Sequence, residues 1–168
     1  MSTPDHPLPA ASEPSAILQI VRDAFKRNDW QAAAAQAKKL PEEVVGEWLE
    51  VADGAAFALG QLHCYGEAVA LFERVWAAAP SARCAGCLAY IYYAASMELL
   101  QPRRGRDRDG DRRGDPRDQG GSGPDRETLR QGFRRWIAEA LRLEPDSPKH
   151  LYRLGVFEAQ IESRHDKV

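Results

Sequence analysis

Residues Gly66 to Pro80 read GEAVALFERVWAAAP and carry the strongest structural signal in the chain. Their large apolar side chains recur on the 3.6-residue spacing of an α-helix, and the stretch ends at a proline. A second stretch, GFRRWIAEALRLEP from Gly132 to Pro145, has the same spacing and the same kind of ending. Proline ends a helix because it lacks an amide hydrogen and disfavours helical geometry in the preceding residue. The chain therefore contains two copies of one helical pattern.

Helical periodicity also covers most of the remaining sequence, and no segment shows the alternation typical of a strand. The sequence thus predicts an all-α protein. The first predicted helix has an apolar stripe from Ile17 to Phe25 that includes Ile20, and Ser15 is its expected cap. After a break at Asn28-Asp29, a second helix is predicted at Trp30–Leu40, a third at Glu43–Leu62 that is weakened at Asp53-Gly54, and a fourth at Gly66–Ala79. The fifth is capped by Ser81, the sixth begins near Asp125, and the last begins at Ser147-Pro148.

Two parts of the chain lack this pattern. Residues 102–124 contain no aliphatic or aromatic side chain, so they cannot bury enough apolar surface to offset the entropy of ordering. We expect a disordered Arg/Asp/Gly-rich insertion there and a disordered tail over residues 1–13. The helical parts are then residues 14–101 and residues 125–168, the latter ending in a polar capping helix.

Composition limits the function classes. The 168-residue chain has a net charge of −2, which gives no general reason to expect nucleic acid or an acidic membrane as partner. No run approaches the ~18 apolar residues of a membrane span, and the N-terminus lacks the features of a secretory signal. With three cysteines and no export signal, we expect a cytoplasmic protein with reduced thiols.

The repeated pattern resembles the tetratricopeptide repeat, a helix–turn–helix unit of ~34 residues with Ala-x3-Phe and a closing proline in its second helix. Ala68-x3-Phe72 reaches Pro80 with that spacing, and Ala33 lies 35 residues before Ala68. In the later copy, Phe133 and Ile137 take the Ala and Phe places, and Leu151-x2-Leu154-Gly155 follows. The resemblance implies a right-handed α-solenoid of antiparallel helix pairs, with about three and a half repeats split by the insertion. The family also has Leu-Gly in its first helix. Leu59-Gly60 resembles this pair but lies one helical turn too late relative to Ala68, and Glu158 stands where the family has Tyr.

The resemblance also implies a binding site. In such proteins the first helices of the repeats line a concave groove that holds a peptide or helix of a partner. The groove positions would be acidic at one end, aromatic in the middle and basic at the other. The candidate groove residues are Phe57, Arg83, Tyr90, Tyr93, Lys149, Tyr152 and Val156, with Glu50, Asp53, Gly60, Gly86 and Ala159 at neighbouring places. The alternative is that the tyrosines belong to the core, because a shift of one residue in register would bury them.

The remaining motifs favour no catalytic role. The histidines form no evident dyad or triad with a nucleophile, and no phosphate loop appears. Cys84 and Cys87 could form a thiol or metal sensor, but His63 and Cys64 would lie about 20 Å away at the other end of a helix, too far to share one zinc ion. The insertion's arginines could bind nucleic acid, although five aspartates are interleaved with them and no aromatic side chain is available for stacking.

These observations favour a non-enzymatic protein-interaction module, such as an adaptor, scaffold or chaperone-like protein, with no cofactor and no metal. Its expected partner is another protein. Self-association is a further possibility, because the end of a solenoid exposes apolar surface unless it is capped. A chaperone-type clamp for a terminal carboxylate is not expected, since the only asparagine, Asn28, lies in the first hairpin turn.

Overall fold

The computed structural model describes residues 13–100 and 125–162, and these form two compact units divided after Pro80. Residues 1–12 of the tail expected over residues 1–13, residue 101, the expected insertion at 102–124 and residues 163–168 lie outside the described residues. The described part is helical and contains no strand, so the predicted all-α class is confirmed there. The helices are α1 (Pro14–Lys26), α2 (Trp30–Ala35), α3 (Trp48–Gln61), α4 (Tyr65–Ala78), α5 (Ala82–Leu100), α6 (Arg126–Leu143) and α7 (Pro148–Phe157). No described helix is long and apolar enough to cross a membrane.

The first hairpin of the first unit turns at the predicted break. Asn28 adopts a left-handed backbone with φ of 55°, which asparagine tolerates better than most residues. The Asp29 carboxylate then accepts a hydrogen bond from the Ala32 amide at 3.0 Å and caps α2. The predicted Ser15 cap of α1 is wrong: the helix begins at Pro14, and the Ser15 hydroxyl instead donates to Glu47 across 2.7 Å.

Helix α1 contributes a buried stripe to the core of this unit. Ile17, Leu18 and Val21 pack with Val51 of α3. Ile20, which was predicted to belong to the stripe, is 42% exposed instead. Both Leu18 and Ile20 are apolar, so composition alone could not decide which of them faces α3.

The predicted bounds of α2 and α3 need correction. Helix α2 tightens into a 3-10 segment at Gln36–Lys39, and α3 begins at Trp48 rather than near Glu43. Two features keep the intervening loop non-helical. Gly46 has a positive φ of 57°, and the Arg74 side chain donates to the backbone carbonyls of Pro41 and Glu42 at 2.6 and 3.0 Å.

The expected weakness at Asp53-Gly54 is absent, and α3 runs without interruption through both residues. Gly54 is buried where α1 crosses α3: a Cβ on it would stand 2.6 Å from Cγ1 of Val21. The glycine thus serves close approach of two helices rather than a break. The repeat-like residues Ala68 and Phe72 of α4 are likewise fully buried.

The second unit packs α5, α6 and α7 against one another. The Ser81 cap predicted for α5 is confirmed, since the Ser81 hydroxyl accepts from the Cys84 amide at 3.2 Å. Helix α6 begins at Arg126, as predicted near Asp125, and the Asp125 carboxylate accepts from the Thr128 amide at 2.7 Å. Between α5 and α6, Gly132 faces the Tyr92 ring, whose atoms would lie within 2.6 Å of any added Cβ. Helix α7 ends in a π-helical turn at Glu158–Glu162.

The Phe133 and Phe157 rings form the centre of this unit's core. Their centroids are 3.8 Å apart, with the planes inclined by 7°. Both side chains are almost fully buried, as is Trp136 of the same α6 face. Because Phe157 is the last residue of α7, this stack anchors the end of that helix to α6.

Candidate functional site

A cavity of about 320 Å³ opens in the second unit and contains five of the seven predicted groove residues. Tyr90 and Tyr93 come from α5, and Lys149, Tyr152 and Val156 come from α7. We call this cavity the groove. Its remaining lining residues, which sequence reasoning did not select, are Phe133, Arg153 and Gln160.

Helical spacing explains why these side chains share one cavity. Tyr90 and Tyr93 are three residues apart and therefore stand on one face of α5. On α7, Lys149, Tyr152 and Val156 follow the three- and four-residue steps of a single helix face. The two faces meet across the space between α5 and α7, which is where the groove opens.

The groove has an apolar base and a solvent-exposed rim. Phe133 has no exposed surface, because its other face stacks on Phe157. Val156 is half-buried. Tyr152, by contrast, is 73% exposed, so most of its ring is accessible. A ligand in the groove could therefore cover the Tyr152 ring, above the buried Phe133.

Tyrosine hydroxyls give the groove directional polar contacts. The Tyr93 hydroxyl donates a hydrogen bond to the Gln160 side-chain oxygen at 2.6 Å. Burial, followed by the neighbouring hydroxyls of Tyr152 and Tyr90, raises the pKa of Tyr93 above its ordinary value. The three hydroxyls are therefore close enough to influence one another electrostatically. A tyrosine hydroxyl can both donate and accept a hydrogen bond.

Arg153 is held in place by contacts with α5. Its Nη1 donates to the backbone carbonyl of Gly86 at 2.7 Å, and its guanidinium lies 5.5 Å from the centre of the Tyr90 ring. Burial lowers the pKa of Arg153, although a guanidinium remains charged at neutral pH. The side chain is a positive group fixed within the wall of the groove.

His150 lies behind this wall and is only 3% exposed. Its ring occupies the space left by Gly86, where an added Cβ would stand 2.5 Å from Cε1. Burial is the main cause that lowers the pKa of His150, and the charges of Arg153 and Lys149 lower it further. The Glu144 carboxylate, 3.6 Å from Nε2, acts in the opposite direction. His150 is thus predominantly neutral and fills the contact between α5 and α7.

Two predicted groove residues do not line this cavity. Phe57 belongs to the first unit, where it is half-buried against the rings of Phe25 and Trp30 at centroid distances of 5.7 and 6.0 Å. Arg83 lies exposed in the first turn of α5. Of the acidic neighbours, Glu50 forms an ion pair with Arg22 at 2.9 Å.

Arg153 and Gln160 could have been found from the sequence. Arg153 follows Lys149 by four residues, and Gln160 follows Val156 by four, so both continue the same helical face. Phe133 carried no such signal. Its place in the repeat pattern indicated a core residue, and it is one. Only the packing of α6 beneath α5 and α7 places its ring at the base of the groove.

The thiols occupy packing positions. Cys84 is 1% exposed, Cys87 is half-buried, and none of the three cysteines forms a disulfide bond. Buried thiols of this kind behave as small apolar side chains. Within residues 13–100 and 125–162, no group of three or more His, Cys, Asp or Glu side chains could hold a metal ion.

The groove thus combines tyrosine hydroxyls, two cations and an apolar base in one cavity. Comparison of the chain with models of known families, with curated proteins and with solved structures found no match.

Proposed function

We propose that this chain is a non-catalytic protein-binding module that holds a peptide or a helix of another protein in the groove. The observation that carries the proposal is the exposure of Tyr152 at the rim of a cavity already lined by Tyr90 and Tyr93. Tyrosine offers a large contact area and a hydroxyl, and it loses little conformational entropy on binding. Residues of this type dominate the binding energy of many protein interfaces.

We further propose that the helices form a right-handed, tetratricopeptide-like solenoid. In support, α3 packs against α1, α2 and α4 within the first unit, and α7 packs against both α5 and α6 within the second. A helix that contacts both members of the preceding pair is expected where hairpins stack in sequence. The close approaches at Gly54, Gly86 and Gly132 also agree with the small residues that such stacking requires.

The chemistry of the lining favours a protein segment as ligand. An apolar base with polar groups around the rim suits alternating apolar and polar side chains, which is how extended or helical peptides are recognised. The volume of about 320 Å³ is near the lower end of the range for binding pockets, roughly 300–1,000 Å³, so it accommodates a few side chains rather than a folded domain. An adaptor or scaffold role in the cytoplasm is part of this proposal.

A random dodecapeptide library displayed on phage, selected against the purified wild-type chain, tests the function. Peptides that survive selection should bind a Tyr152→Glu variant at least about tenfold more weakly, a loss of roughly 1.4 kcal/mol. Leu151→Glu is the matched control, since Leu151 is an exposed apolar residue on the same helix but does not line the groove. Failure to enrich any peptide, or equal loss in both variants, would refute the groove as a protein-binding site.

A further inference from the structure

The groove contains two positive side chains and no acidic one. Lys149 and Arg153 are four residues apart on α7, so they stand one turn apart on the same face. None of the eight lining residues is an aspartate or a glutamate. In the part of the chain that the structure describes, neither cation forms an ion pair with a carboxylate.

Arg153 is presented in a fixed geometry. The Gly86 carbonyl accepts a hydrogen bond from Nη1, and the guanidinium carbon lies 5.5 Å from the centre of the Tyr90 ring. A guanidinium has five such donors, so several remain for a ligand. A preordered guanidinium loses less entropy on binding than a flexible one, and its fork matches the two oxygens of a carboxylate.

The surroundings favour an anion at this position. Two like charges one helical turn apart repel each other, and Lys149 stands in the first turn of α7, where the helix dipole is positive and no acidic residue is present. Burial is the main cause that lowers the pKa of His150, and both cations lower it further, although the Glu144 carboxylate raises it. A carboxylate bound between Lys149 and Arg153 would relieve all of these unfavourable interactions.

Apolar surface begins immediately beside the two cations. Tyr152 stands between Lys149 and Arg153 in sequence, and Val156 follows Arg153 by three residues on the same helix face. Phe133 closes the base of the cavity. A ligand whose carboxylate contacts the cations therefore places its next side chain against an aromatic and aliphatic surface.

We propose that the groove selects protein segments in which the side chain of an internal Asp or Glu stands next to an aromatic or large aliphatic residue. Arg153 and Lys149 bind the carboxylate, and Tyr152 and Val156 bind the apolar neighbour. This specificity rests on the proposed protein-binding function and defines the kind of partner segment.

The dodecapeptide selection distinguishes the two proposals. If no peptide is enriched, the protein-binding function itself fails. If peptides are enriched through Tyr152 but show no preference for an acidic residue beside an apolar one, the function stands and the specificity is wrong. Enrichment of such a pair at a constant spacing is the expected result, with affinity that falls as salt is raised, because the ionic contacts are partly exposed.

Charge reversal tests the assignment to named residues. A Lys149→Glu variant should bind the best acidic peptide about tenfold more weakly and regain binding when the acidic residue of the peptide is replaced by lysine. Arg142→Glu is the control, because Arg142 is exposed on α6, pairs with Glu139 and does not line the groove. A loss without rescue, or an equal loss for Arg142→Glu, would overturn the proposal.

Arg153→Lys separates its directional contacts from its charge. Lysine preserves the positive charge but lacks the planar fork of the guanidinium, so we expect weaker binding of the acidic peptide, with a reduced but retained preference for acidic over neutral peptides. Circular dichroism and thermal unfolding confirm that each variant is folded. If Arg153→Lys binds acidic and neutral peptides equally, the residue does not act as proposed.

Binding measurements of the same kind would also reveal a ligand other than an internal segment of a protein. Peptides that bind only with a free C-terminal carboxylate, and lose binding on amidation, would contradict recognition of an internal side chain. Tighter binding of a fluorescent single-stranded RNA dodecamer than of any peptide would replace the protein ligand by nucleic acid. Concentration-dependent association that Lys149→Glu abolishes, seen by sedimentation velocity, would make a second copy of this chain the occupant instead.

Discussion

The guanidinium of Arg153 on α7 donates a hydrogen bond to the backbone carbonyl of Gly86 on α5 across 2.7 Å. The contact is possible because residue 86 has no side chain: an added Cβ would stand 3.1 Å from Nη1 of Arg153 and 2.5 Å from the His150 ring. One glycine thus determines both how closely α7 approaches α5 and where a groove cation is held. The core contact and the candidate site are therefore physically coupled.

We expect Gly86→Ala to destabilise the second unit by about 1–3 kcal/mol, the usual range for overpacking, despite the better helix propensity of alanine. It should also weaken peptide binding, since Arg153 must move. Urea denaturation and titration of a selected peptide measure the two effects. Gly155→Ala is the control, because no atom lies within 4 Å of a Cβ at that exposed position of α7, and it should be neutral or slightly stabilising. Equal stability of the two variants would contradict this role of Gly86.

Phe133→Ala should cost about 3–5 kcal/mol of unfolding free energy, because it removes a fully buried ring and leaves a cavity against Phe157. Tyr152→Ala in the same groove should change stability by no more than about 0.5 kcal/mol, since that side chain is mostly exposed. Chemical denaturation of both variants checks the contrast. A similar loss of unfolding free energy in the two variants would contradict a buried Phe133 at the base and an exposed Tyr152 at the rim.

The stability of the second unit should fall as the pH decreases below the ordinary histidine pKa of 6.5. Burial, then Arg153 and Lys149, lower the pKa of folded His150, although Glu144 opposes this. Below pH 6.5 the unfolded chain therefore binds a proton that the folded chain does not, and unfolding becomes more favourable. Denaturation of the wild type and a His150→Gln variant at several pH values between about 5 and 7 gives the two slopes. The slope should be smaller in the variant, and identical slopes would show that His150 does not contribute.

In the first unit, Asp29→Ala should reduce stability by about 1 kcal/mol, because it removes the side chain that accepts from the Ala32 amide at the start of α2. Asp29→Asn should retain most of the stability, since the asparagine side-chain oxygen can make the same hydrogen bond. Thermal unfolding of the two variants measures the difference. Equal losses would attribute the effect to the charge of Asp29 rather than to its capping hydrogen bond.

Local signals predicted most helix boundaries correctly. Asn28, Asp29, Ser81 and Asp125 act where the sequence placed them, since a turn or cap depends on a few adjacent residues. The errors occurred where a distant residue intervenes. Ser15 donates to Glu47 rather than capping α1, and the loop before Trp48 is held by Arg74, which lies more than thirty positions away.

The residues of the groove also divide into those that the sequence predicted and those that only the tertiary structure revealed. Helical periodicity determined that Tyr90 and Tyr93 share one face of α5, and that Lys149, Tyr152 and Val156 share one face of α7, because direction around a helix follows from position along it. Periodicity does not determine which faces of different helices meet. The packing of α5, α6 and α7 decided that Phe133 lies at the base of the groove and that Arg153 reaches the Gly86 carbonyl. The same packing decided that the residues lining the groove include two cations and no aspartate or glutamate. Such contacts join residues far apart in sequence, and they depend on the shapes of all the side chains between the helices.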